Sequence, residues 1–217
     1  MKKKLGKLTK IGNILLVVSF LAWLGFVACI YVGLGTIATS TTDAWEAFNM
    51  SNQLLMAEVM LLGSAAMPLF FVEMFSAQAK GKMGGMVTSA LLVAAWLVYV
   101  YKDTAVLVFQ GATRDGNLTT FLADLVVPLL AILAILLSNR PLAIIAGIAS
   151  LLAMLANASG ATQISTIIKA YGAGYTTASF RSIRDLLTAL PVAAEIIYGF
   201  GMFFGLLGVK KESKEVA

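Results

Sequence analysis

Six apolar stretches, each of a length suited to crossing a bilayer, divide this chain and leave short polar links between them. A hydrocarbon core of about 30 Å takes roughly 20 residues of helix, and backbone facing lipid must satisfy its own polar groups within a helix or a closed barrel. The stretches fall at about 11–37, 53–75, 86–101, 119–137, 142–164 and 186–209. They predict an all-α polytopic membrane protein, a single transmembrane domain of six helices over 1–217. The low share of charged residues, 12% against about 25% in a soluble domain, fits the bilayer as solvent.

The net charge of +5 would suggest nucleic acid in a soluble protein. Here the basic residues cluster in the links between apolar runs, where they set topology, and no nucleic-acid partner is expected. With the N-terminus in the cytoplasm, the inner links and ends carry Lys2, Lys3, Lys4, Lys7, Lys10, Lys80, Lys82, Arg140, Lys210, Lys211 and Lys214. The outer links carry Lys102, Arg114, Lys169, Arg181 and Arg184. That bias predicts both termini in the cytoplasm, in a bacterial or archaeal plasma membrane, with membrane lipid as the immediate partner.

Some chemistry is excluded by residue type. The chain has one cysteine, Cys29, and no histidine, which removes intramolecular disulfides, zinc sites and Ser-His or Cys-His catalysis. No nucleotide-binding loop or metalloprotease helix is present. No enzyme activity, cofactor or metal is expected. The first apolar run is longer than the roughly 7–15 residues of a signal-peptide core, so it reads as a span, with Cys29 a buried thiol within it.

The informative residues are acids at membrane depth. A carboxylate there costs roughly 2.5–3.5 kcal/mol on insertion scales and is kept where it meets protein, water or an ion. Glu58, Asp124 and Glu195 all lie on spans that run from outside to inside, roughly 8–14 Å below the outer surface at 1.5 Å per residue. Asn157 and Gln163, on the polar outer part of span five, fall at a similar level. These five residues form the candidate ion- or ligand-binding layer, and oxygen-only ligands favour a proton or hard cation. The alternative is that Glu58 and Asp124 reach headgroups or pair with Lys102, Arg181 or Arg184. Glu73, at the inner end of span two, is expected to pair with Lys80 or Lys82.

Each of Pro68, Pro128 and Pro191 lies on the second helix of a hairpin, and a proline frees a backbone carbonyl and bends the helix. Small residues mark packing faces at Ala146 and Ala153 and in the run from Gly201 to Gly205. Two functions follow. One is a small multi-pass protein that moves or binds a cation, proton or small polar solute. The other is a non-catalytic subunit, assembly factor or immunity-type protein, or a homo-oligomer, whose small-residue faces pack on partner membrane proteins.

Overall fold

The computed structural model describes the backbone of 6–40, 65–111, 117–172 and 178–209, and side chains within these except 30–40, 117, 159–172, 178–185, 187 and 188. The chain is an all-α polytopic membrane protein, and among the described residues there is no strand. In order come α1 (Lys7–Ser40), α2 (65–80) and α3 (Met83–Phe109). Then α4 (Asn117–Thr120) passes through a π-helical segment (Phe121–Val126) into α5 (Val127–Leu136), followed by α6 (Arg140–Gly172) and α7 (Ala178–Leu207). Five helical stretches among the described residues have the length and apolarity of a span. The remaining expected span, 53–75, is described only from residue 65 onward, so Glu58 lies outside the described residues.

Large apolar side chains on the outside confirm the solvent. Leu91, Leu152 and Leu155 are each more than 60% exposed, which is tolerable when the surroundings are hydrocarbon. The interior holds one stripe from each helix. In α3, Met86, Ala90, Val93 and Leu97 face inward at helical spacing and meet Phe71, Met74 and Phe75 of α2.

Helix α7 lies at the centre and packs along α1 on one side and α6 on the other. Its neighbours come close because glycines remove the side chain at each crossing. A Cβ on Gly12 would sit 2.5 Å from the backbone nitrogen of Gly205, and one on Gly201 would sit 2.9 Å from Leu16. On the α6 side, a Cβ on Gly199 would lie 2.5 Å from Met154. The matched pairs Thr9 with Gly208, Gly12 with Gly205, Leu16 with Gly201 and Gly25 with Leu190 show that α1 and α7 run antiparallel. The start of α1 and the end of α7 therefore share one face of the bundle. Side-chain bonds pin the contact: the Thr9 hydroxyl donates to the Gly208 carbonyl at 3.4 Å and the buried Ser19 hydroxyl to the Ala194 carbonyl at 2.9 Å.

The helices outrun the apolar stretches. Residues 102–118 were expected to form a loop, yet α3 continues to Phe109. Thr104–Phe109 is apolar and helix-compatible, while Lys102 and Asp103 pair at the surface at 3.1 Å and Lys102 lies over the Tyr99 ring. Likewise α6 continues past the expected end of span five at 164 to Gly172, and α7 begins at Ala178, before the expected start of span six. The turn at Ser138–Asn139 does follow the residues: Ser138 takes a positive φ of 47° and Asn139 caps α6 by accepting the Leu142 N–H at 3.0 Å.

Glu73 is not an ion-pair partner of Lys80 or Lys82; the ion pair found among the described residues is Lys102–Asp103. Because α2 stays helical to residue 80, Lys80 is carried two turns beyond Glu73, and the carboxylate instead lies against Gly85, 3.0 Å from the position a Cβ would take. Cys29 is partly exposed on α1 rather than buried.

The Gly12 contact is open to a direct test. Gly12→Ala places a methyl against backbone that cannot swing away and should lower the melting temperature in detergent, by about 1–3 kcal/mol of stability. Gly84→Ala, with nothing within 4 Å, should leave it unchanged or raise it slightly, since alanine is the better helix former by up to about 1 kcal/mol. Equal melting of the two variants would contradict the α1–α7 crossing.

Candidate functional site

Proline sets the local shape of the site. Pro128 lacks an N–H and its ring crowds the carbonyl four residues back, that of Asp124. The chain answers by widening the preceding turn: Phe121–Val126 is π-helical and the Val127 N–H bonds to the carbonyl of Leu122. Single π turns within α-helices recur at functional sites. Here the widened turn carries Asp124. On α7 the order is reversed, with buried Pro191 one turn before Glu195.

The two acids, Asp124 and Glu195, come from separate helices. They meet across α6. The Asn157 side-chain amide donates to the Asp124 carboxylate at 2.7 Å, the short end of such bonds and typical of a charged acceptor. Asn157 and Glu195 line one small cavity, and the two acids are near enough to act on each other electrostatically. Tyr101 of α3 lies within electrostatic reach of Asp124. No Lys or Arg pairs with either acid among the described residues; Lys102, a candidate partner from the sequence, is engaged with Asp103, and the side chains of the other candidates, Arg181 and Arg184, lie outside the described residues.

A small cavity of about 20 Å³ opens beside this cluster, with Glu195, Asn157, Tyr198 and Ser150 as its polar wall. That is room for about one water-sized occupant. The Tyr198 hydroxyl borders it, is buried and has no hydrogen-bond partner among the described residues. Its ring rests edge-on against Phe71 of α2, with centroids 6.4 Å apart. Ser150 is not a free donor, because its hydroxyl bonds back to the Ala146 carbonyl at 2.8 Å.

Of the five residues expected in the layer, the structure brings together Asp124, Asn157 and Glu195. Glu58 and the Gln163 side chain lie outside the described residues. Tyr101 and Tyr198 are additions. Tyr198 stands three residues after Glu195, a spacing that puts both on one helix face. Tyr101 stands at the expected end of span three, from which α3 continues to Phe109.

The small residues serve internal packing. Gly201 lies against Leu16, a Cβ on Gly205 would overlap the Phe75 ring, and Ala146 is fully buried. Ala153 borders the small cavity. No protein-family model matches this chain, and no curated protein or solved structure matches it either.

The hydrogen-bond assignments separate two substitutions. Asn157→Leu withdraws the donor from a carboxylate away from water and should cost roughly 1–3 kcal/mol, read as earlier thermal unfolding in detergent. Tyr198→Phe removes a buried hydroxyl with no hydrogen-bond partner among the described residues and should melt no earlier than the wild type. If Tyr198→Phe melted as early as Asn157→Leu, the tyrosine would have a partner and the cluster would need redrawing.

Proposed function

We propose that this membrane protein binds and passes a proton or a small cation through the cluster of Asp124, Asn157 and Glu195. The observation that carries the proposal is the gathering of two acids from separate helices around Asn157, which donates to Asp124 and shares a cavity wall with Glu195, with no basic side chain paired to either acid among the described residues. Two negative charges at membrane depth need a compensating positive one, and a proton or a desolvated cation supplies it. The roughly 20 Å³ cavity suits an occupant of that size better than an organic solute. Asn157 then holds the two carboxyls at one level, and the Tyr198 hydroxyl offers a polar group on the cavity side of Glu195. Nothing in this reading involves bond-making chemistry on a substrate, so we assign no enzyme activity.

A partner-binding role was the competing reading from sequence. Its chief motive was the set of small residues at Ala146, Gly201 and Gly205, which pack inside the chain, and this favours the ion-handling proposal.

The test is flux in proteoliposomes loaded with a pH-sensitive dye or with a cation indicator, under an imposed gradient. Asp124→Asn and Glu195→Gln should each cut the flux by roughly tenfold or more, about 1.4 kcal/mol on the barrier. Asp103→Asn, at the exposed surface pair, should not. Wild-type vesicles that pass neither protons nor Na⁺ nor K⁺ faster than empty ones, or a double variant with undiminished flux, would remove the proposal.

A further inference from the structure

A second polar cavity lies at the opposite end of the molecule, where the start of α1, the start of α6 and the end of α7 come together. It has a volume of about 360 Å³ and is bordered by Lys7, Leu8, Arg140 and Gly208 among others. That is within the range of small-ligand clefts, roughly 300–1,000 Å³. Its charge is of one sign. Lys7 and Arg140 come from different helices, neither forms an ion pair among the described residues, and neither helix has an acid in its first turn.

One flank of the cavity is apolar and open outward. Leu8, which borders it, is 40% exposed, and Ile11, Ile14, Val18 and Leu21 continue outward-facing along the same side of α1. Steps of three and four residues keep them on one helix face. A cationic cleft at the end of a span, joined to an apolar track along that span, matches the two halves of a phospholipid. We propose that this cleft binds the phosphodiester of an anionic phospholipid, held by Lys7 and Arg140, with an acyl chain along Leu8, Ile11 and Ile14. The site is independent of the Asp124–Glu195 cluster.

The test uses the full chain purified in mild detergent, with thermal unfolding followed on adding phosphatidylglycerol, phosphatidylcholine or inorganic phosphate. A ligand that binds only the folded state raises the melting temperature, so phosphatidylglycerol should raise it by several degrees and the other two should not. The double variant Lys7→Gln/Arg140→Gln should lose most of that shift. A control variant, Lys80→Gln/Lys82→Gln, removes two exposed cations from the α2–α3 hairpin and should keep it. An equal shift with inorganic phosphate would overturn the lipid assignment. So would retention of the shift in Lys7→Gln/Arg140→Gln, or its equal loss in the control.

Discussion

The contact between α1 and α7 is the constraint on which the remaining architecture rests. Within a bilayer, apolar side chains gain little by leaving lipid for protein, so helices associate through dispersion, close approach and interhelical hydrogen bonds. Glycine permits that approach at Gly12, Gly201 and Gly205, where any added side chain meets backbone, Leu16 or the Phe75 ring. Gly199 does the same toward α6. With glycines on several of its faces, α7 can serve as a central post. Its position then decides where Glu195 points and which residues of α6 and the π segment it meets.

The polar cluster is a second consequence of backbone geometry. An undistorted helix would present Asp124 at a slightly different angle, and the proline four residues later is what enlarges the turn. The acid, the widened turn and the proline thus act as one local device. Asn157 ties it to α6 through the amide that donates to Asp124, and faces Glu195 of α7 across the small cavity. Among the described residues neither acid is paired with a lysine or arginine.

Much of this was legible in the residues. The five spans found among the described residues, the all-helical class and the common level of Asp124, Asn157 and Glu195 follow from hydropathy and a rise of 1.5 Å per residue. Rotation about each helix axis was not legible, because in lipid both the buried and the outward faces are apolar and periodicity carries little directional information. That is why Tyr198 escaped notice until α7 was seen to turn it toward the same cavity as Glu195. Helix ends were misjudged for a related reason. Lys102 and Asp103 look like loop residues by charge, yet they neutralise one another on the surface of a helix that runs on to Phe109. Glu73 was assigned a partner by distance along the sequence, and continuation of the helix to residue 80 carried that partner away.

The bond between Thr9 and Gly208 joins residues 199 positions apart, and this bears on how the molecule is made. At about 5–20 residues per second, synthesis places some 10–40 s between the two ends of that contact. During that interval α1 already lies in the membrane with Gly12 and the Ser19 hydroxyl facing no α7. Final closure of the bundle is therefore a late event in biogenesis, and until it happens the first helix is the one most open to capture by chaperones or by the helices of other nascent proteins.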